Sequence, residues 1–83
     1  MSGWHLFVPD RIGTPITEKE REWLEEDLRV MEAHHSDEEW IANEVKANIE
    51  LMGSWDRELT MICFEHDINM LRRTLETGIV TEH

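Results

Sequence analysis

Three runs of helical periodicity, each opened by its own capping signal and the last two followed by a glycine, constrain the fold of this chain more than any other feature. In each run the apolar residues recur at intervals of three and four, which is typical of a helix with one buried face. The chain has 83 residues, enough for one small domain. Short connections between the runs favour antiparallel neighbours. The sequence therefore predicts an all-α fold, a small antiparallel three-helix bundle, as a single domain over residues 1–83.

The first run predicts a helix over residues 17–34. Thr17 and Glu20 form a capping-box pattern, in which each side chain satisfies a backbone amide at the start of the helix. The acids that follow also suit the positive end of the helix dipole. The predicted apolar stripe of this helix consists of Trp23, Leu24, Leu28 and Met31.

The second run predicts a helix over residues 36–52. Ser36 and Glu39 repeat the capping-box pattern at its start. Gly53 is a fitting stop, because glycine tolerates the left-handed conformation that follows many helices. The predicted apolar stripe consists of Ile41, Val45, Ile49 and Met52, and it is widened by Trp40, Ala47 and Leu51.

The third run predicts a helix over residues 54–77, with Ser54 or Asp56 as its cap and Gly78 as its stop. Residues 78–83 then form a tail. The apolar residues of this helix cover more than one side: Leu59, Ile62, Cys63, Phe64, Ile68, Met70, Leu71 and Leu75. Such a helix is either central in the bundle or carries both an internal contact and a contact with a second copy.

Residues 1–16 differ from the rest of the chain. The apolar run over residues 4–8 is typical of a short strand, and Pro9, Gly13 and Pro15 then oppose a helix. The sequence predicts an extended N-terminal arm, with a short strand at residues 4–8. A lone strand needs a partner, and the candidates are residues 79–81 and the same arm on a second copy.

Charge excludes several classes of partner. Nineteen Asp and Glu against eight Lys and Arg give a net charge of −11, which repels nucleic acids and anionic membranes. The single Cys excludes an internal disulfide and a four-Cys zinc site. No apolar run approaches the roughly 18 residues that a membrane span needs, and no signal peptide is apparent. We therefore expect an intracellular, cytoplasmic protein that binds neither membranes nor nucleic acid directly.

Acidic residues are concentrated in the first two helices. Residues 18–39 contain ten acids and three bases, a net charge of −7. On a helix, carboxylates three or four positions apart lie about 5–6 Å from each other, a spacing comparable to that of phosphates along a nucleic-acid strand. The alternative is a solvated face that keeps the protein soluble. The candidate partner-binding residues are Glu18, Glu22, Glu25, Glu26, Glu32, Asp37 and Glu38.

This pattern favours a small acidic protein–protein interaction module. In its most specific form, the module is a nucleic-acid mimic that blocks the basic site of a nucleic-acid-binding protein. Small acidic proteins of this kind occur among virus-encoded inhibitors of defence systems or host factors, which is an analogy of class and not of motif.

A helical homo-oligomer is the alternative function. In that hypothesis an apolar interface pairs two copies, and the protein serves as a regulator or adaptor. Tryptophan is common both in cores and as an interface anchor, and the chain has four. Trp4 and Phe7, on the predicted arm, are the candidate anchors.

A small metal-binding protein is the third hypothesis. A thiolate and imidazoles can hold zinc, and the candidate ligands are His34, His35, Cys63 and His66. However, the chain lacks a Gly-rich phosphate loop and a nucleophilic triad pattern, and so short a domain has little room for an enclosed substrate pocket. We therefore expect no catalytic residues, no cofactor, no bound metal and no enzymatic activity.

Overall fold

Three α-helices and one 3₁₀ turn make up the computed structural model, which describes residues 3–81. The 3₁₀ turn spans Trp4–Leu6, α1 spans Glu18–His35, α2 spans Glu38–Met52 and α3 spans Arg57–Thr77. These residues contain no β-strand, so the predicted all-α three-helix fold is confirmed. None of the helices within residues 3–81 combines the length and the apolar character that a membrane crossing requires.

The start of α1 follows the predicted capping box. The Thr17 hydroxyl accepts a hydrogen bond from the Glu20 backbone N–H at 3.1 Å, and the Glu20 carboxylate accepts one from the Thr17 backbone N–H at 2.9 Å. Glu20 is also buried, and Arg11 donates to both of its carboxylate oxygens at 2.9 Å. This two-pronged ion pair ties the segment before α1 to the first turn of the helix.

The cap of α2 differs from the prediction. Asp37, and not Ser36, is the N-cap, and its carboxylate accepts a hydrogen bond from the Trp40 backbone N–H at 3.1 Å. Ser36 instead ends α1, with its N–H directed at the carbonyl groups of the last turn. The chain reverses within two residues here, so only the second of them is available to start α2.

The remaining helix ends agree with the sequence signals. Asp56 caps α3 by accepting from the Leu59 backbone N–H at 2.8 Å, which decides between the two predicted caps. Gly53 and Gly78 follow α2 and α3 with φ angles of +83° and +72°. Both glycines therefore supply the left-handed conformation that a side chain would disfavour.

The predicted strand at residues 4–8 is wrong. Trp4–Leu6 form a 3₁₀ turn, in which the Leu6 N–H donates to the Gly3 carbonyl at 3.1 Å. No neighbouring strand is present among the described residues to pair with this segment. Its apolar side chains instead gain burial against the helices, and Leu6 is fully buried. The N-terminal segment is consequently folded onto the bundle, and the residues described in it do not project as an extended arm.

The tail does pair with the N-terminal segment, but through residues 13–16. Pro15 and Ile79 form an isolated antiparallel bridge. Beside it, the Val80 N–H donates to the Thr14 carbonyl at 2.9 Å, and the Gly13 N–H donates to the Val80 carbonyl at 2.8 Å. The predicted partner of the tail is thus displaced by about ten residues along the chain.

The hydrophobic core is formed by parts of the chain that are distant in sequence. Its fully buried members come from the 3₁₀ turn, α1, α3 and the tail: Leu6, Leu24, Leu71 and Val80. Helix α3 packs against both α1 and α2, as its broad apolar character predicts for a central helix. Helix α2 contributes one buried side chain, Ile41. The core is therefore concentrated away from α2.

Candidate functional site

All seven acidic residues predicted to bind a partner are exposed. Three of them, however, pair with arginines: Glu26 with Arg29, Glu32 with Arg72 at 3.5 Å, and Glu38 with Arg57 at 2.5 Å. A fourth, Asp37, serves as the cap of α2. Most of the predicted acidic face is therefore engaged in contacts within the chain.

The other three acids form what we call the α1 acidic row: Glu18, Glu22 and Glu25. Their spacings of four and three residues place them along one side of the first two turns of α1. None of the ion pairs found within residues 3–81 involves these three side chains. Of the seven predicted acids, Glu18, Glu22 and Glu25 are the ones that, within residues 3–81, form neither an ion pair nor a helix cap.

The ion pair between Glu38 and Arg57 joins the first turns of α2 and α3. Hydrogen bonds from Arg57 lower the pKa of Glu38 below its usual range. The pair lies beside an open cavity of about 280 Å³, which is otherwise lined by Ile41, Ala42 and Val45. These contacts indicate that Glu38 links the first turn of α2 to the first turn of α3, while its side chain stays mostly exposed.

Trp4 and Phe7, the predicted anchors, are half-buried and pack against the core. Their ring centroids lie 5.9 Å apart. The residues thus have a role inside the domain, because the segment that carries them is folded onto α1 and α3. Whether they also anchor a partner stays a prediction.

In the described part of the chain, large apolar side chains are exposed near the end of α2 and near the start of α3. We call this set the α2–α3 apolar end, and its members are Ile49, Leu51, Met52, Leu59 and Ile62. Leu51 is 82% exposed and Met52 is 61% exposed, although both belong to a regular helix. An apolar surface of this kind is a common mark of a protein–protein contact.

Sequence reasoning placed three of these residues, Ile49, Leu51 and Met52, on the stripe expected to be buried, and that prediction is wrong because all three are exposed. Of the predicted stripe, Ile41 is buried and Val45 is half-buried. One sequence signal could have indicated the surface. Residues 59–64 contain no charged side chain in a chain of which a third is charged, although three charged residues, Asp56, Arg57 and Glu58, directly precede them.

The candidate metal ligands do not meet. The His34 ring stacks on the Trp40 ring, with centroids 4.1 Å apart and an interplanar angle of 9°. His35 lies 3.8 Å from the carboxylate of Glu65. Within residues 3–81, no group of three or more His, Cys, Asp or Glu side chains is arranged to hold a metal ion.

A cavity of about 310 Å³ gathers aromatic side chains from three separate segments. We call it the aromatic cavity. Trp4 comes from the 3₁₀ turn, Trp40 from the start of α2 and Trp55 from the connection before α3. Its other lining residues are Met31, Glu44, Asn48, Thr60, Cys63, Phe64 and Asp67. Sequence reasoning did not predict this convergence, since the spacing of the tryptophans gives no indication that they share a site.

No family model, curated protein sequence or solved structure matches this chain. The class that the structure defines is that of an all-α three-helix bundle. Any conclusion about function therefore depends on the geometry of the surfaces described above.

Proposed function

We propose that this protein is a protein–protein interaction module that pairs with a second copy of itself through the α2–α3 apolar end. The observation that carries the proposal is the exposure of five large apolar side chains near the end of α2 and the start of α3. Soluble monomers rarely expose a large contiguous apolar patch, and such patches mark interaction sites. A homo-oligomer of this type would serve as a regulator or adaptor.

The distribution of charge supports a second copy as the occupant. Two chains with a net charge of −11 repel each other, so they approach at least cost where few charged groups lie. Residues 49–64, which span the α2–α3 apolar end, carry a net charge of −2 from three acids and Arg57, against −7 for residues 18–39, so two copies repel each other less through this region than through α1. Interfaces of homodimers are also more apolar than those of transient complexes, and a two-fold dimer is the commonest oligomer.

The weak attachment of α2 supports the same proposal. A domain of this size buries only about 60% of its unfolded surface, and α2 has one buried residue, Ile41. Pairing would cover the exposed last turn of α2 and add stabilisation of roughly 25 cal/mol per Å² of apolar surface removed from water. The second copy would therefore complete a region that the isolated domain leaves open.

The mass in solution tests this proposal. We expect light scattering or sedimentation to give a dimer for the wild-type protein and a monomer for Leu51→Glu. Val30→Glu is the matched control, because Val30 is also exposed but lies on α1, outside the cluster. Circular dichroism should show that both variants remain helical. A monomeric wild-type protein, or a Leu51→Glu variant that dimerises like Val30→Glu, would overturn the proposal.

The salt dependence of the association provides an independent test. Association of two acidic copies through an apolar surface should become tighter as salt is added, because the Debye length falls from about 30 Å at 0.01 M to about 10 Å at 0.1 M and screens their repulsion. Binding between the acidic protein and a basic partner should weaken under the same change. The direction of the effect thus separates self-association from the second candidate function.

The second candidate is inhibition of a nucleic-acid-binding protein inside the cell, of the type that virus-encoded inhibitors provide. The α1 acidic row supports it, because its three exposed carboxylates follow one side of a helix and form none of the ion pairs within residues 3–81. A row of this kind would enter a basic groove in place of phosphates. The shortness of the row, however, makes this the weaker candidate.

Charge reversal tests the second candidate. We expect Glu18→Lys, Glu22→Lys and Glu25→Lys together to abolish capture of a basic partner, and duplex DNA to compete with the wild-type protein for it. The control is the triple change Glu50→Lys, Glu58→Lys and Glu76→Lys, which alters the net charge equally at exposed positions outside the row. Equal loss of binding in both triple variants would show that net charge alone acts, and would contradict a shaped docking row.

A further inference from the structure

We propose that the aromatic cavity binds a methylated ammonium group, such as the head of a quaternary amine. Three indole rings line it, those of Trp4, Trp40 and Trp55, together with the carboxylates of Glu44 and Asp67. Aromatic rings attract a cation through their negative faces, and recognition of quaternary ammonium groups is a known use of this interaction. Rings and carboxylates together supply both the apolar and the charged part of such a site.

The charges in the lining favour a cation over a neutral or anionic ligand. The cavity is lined by two carboxylates and by no lysine, arginine or histidine among the described residues. The chain as a whole carries a net charge of −11, which raises the local concentration of cations. An anion would meet repulsion from both sources, so the occupant is positively charged.

The rings are held in place by contacts with neighbouring side chains. Trp40 stacks on His34 and also contacts Phe64, with ring centroids 5.1 Å apart. The Trp55 indole N–H donates to the hydroxyl of buried Thr60 at 2.7 Å. Trp4 packs against the core. Little ordering is therefore needed when a ligand enters, which favours binding by a small group.

The apolar residues in the lining favour a methylated ammonium group over a bare one. A bare ammonium is strongly hydrated and would lose that water against Met31, Phe64 and three indoles. A methylated head presents an apolar surface to the rings and keeps its positive charge for the carboxylates. The cavity volume of about 310 Å³ lies at the lower end of the range for small-ligand sites, which suits a head group.

The same chemistry can come from a free small molecule or from a methylated lysine of another protein. The test therefore uses three probes: choline, its neutral isostere 3,3-dimethylbutan-1-ol, and a trimethyl-lysine peptide beside its unmodified form. Binding is followed by tryptophan fluorescence and by the rate at which iodoacetamide alkylates Cys63, which lines the cavity and is exposed. A peptide that binds more tightly than choline points to a protein source; equal affinity points to the free cation.

We expect choline to bind saturably, about tenfold or more tightly than the neutral isostere, and to slow the alkylation of Cys63. Glu44→Gln should weaken choline several-fold, while Trp23→Phe, a tryptophan change outside the cavity, should leave it unchanged. Trp55→Phe should also weaken it, and Glu44→Gln keeps the test valid if that variant does not fold. Equal binding of choline and the isostere, unchanged alkylation of Cys63 at saturation, or no saturable binding would overturn the proposal.

Discussion

Aliphatic side chains are buried at one end of this small bundle and exposed at the other. At one end, four aliphatic side chains are at most 1% exposed: Leu6, Leu24, Leu71 and Val80. At the other, Leu51 is 82% exposed and Met52 is 61% exposed. The difference arises because the first end is closed by four segments of the chain, whereas the last turn of α2 has no such cover among the described residues. Burial is therefore decided by the neighbours and not by the residue type.

The backbone and polar contacts reinforce the same end. The tail is joined to residues 13–16 by backbone hydrogen bonds of 2.8–2.9 Å. The Arg21 guanidinium donates to the carbonyl of Leu75 in α3 at 3.0 Å. Thr74 and Thr81 share a hydrogen bond of 2.9 Å between their hydroxyl groups. Stability is consequently concentrated where α1, α3 and the two flanking segments meet, and α2 is the helix with the fewest buried side chains.

The largest loss of stability should come from a substitution in the core at the closed end of the bundle. We expect Leu71→Ala to lower the free energy of unfolding by about 2–5 kcal/mol, because it removes a fully buried side chain and leaves a cavity. Urea denaturation, followed by circular dichroism, measures the loss. A loss below about 1 kcal/mol would show that the closed end is not the stable part of the molecule.

A smaller effect should come from the charge of Glu20, which the closed end buries. Hydrogen bonds from Arg11 and from the Thr17 backbone lower its pKa from the ordinary value of 4.5 to about 2. A carboxylate whose pKa is lower in the folded state stabilises that state fully above pH 4.5, and this contribution is lost as the pH falls from 4.5 towards 2. We expect Glu20→Gln to cost on the order of 1–2 kcal/mol at pH 7, and to remove this loss between those pH values.

Glu38→Gln is the matched control for an exposed ion pair. Glu38 pairs with Arg57, but both side chains are mostly exposed, so solvent screens the pair. Its substitution should change stability less than Glu20→Gln does. If the two variants lost equal stability and had the same acid dependence, the difference between buried and exposed ion pairs would not hold in this protein.

The smallest effect on stability should come from the open end. We expect Leu51→Ala to change the free energy of unfolding by no more than about 0.5 kcal/mol, since the side chain is exposed in the isolated domain. Unfolding must be measured at a concentration where the protein is monomeric. A loss comparable to that of Leu71→Ala at such dilution would mean that Leu51 packs within its own chain.

Local signals in the sequence predicted the helices well. The Thr17–Glu20 capping box and the left-handed glycines after α2 and α3 depend on a few neighbouring residues, and all of them are confirmed. The 3₁₀ turn at Trp4–Leu6 was not predictable in this way. Its conformation follows from the burial of Leu6 against helices far along the chain, which periodicity does not report.

The surfaces were predicted less completely than the fold. Periodicity identifies an apolar stripe, but it does not say whether another element covers it, and so the exposure of Met52 was missed. The acidic side chains were correctly placed on the surface, yet their pairing with Arg57 and Arg72 joins residues at least 19 positions apart. The convergence of tryptophans on the aromatic cavity is likewise a property of the tertiary structure.

The position of Val80 in the core has a consequence for synthesis of the protein. Leu6 and Val80 belong to one core cluster, although nearly the whole described chain separates them. Because a ribosome makes the chain from its N-terminus, α1 and α2 are complete before the residue that closes the core exists. We therefore expect the nascent chain to remain without a closed core until Val80 has left the exit tunnel, with Leu6 and Leu24 accessible to chaperones in that interval.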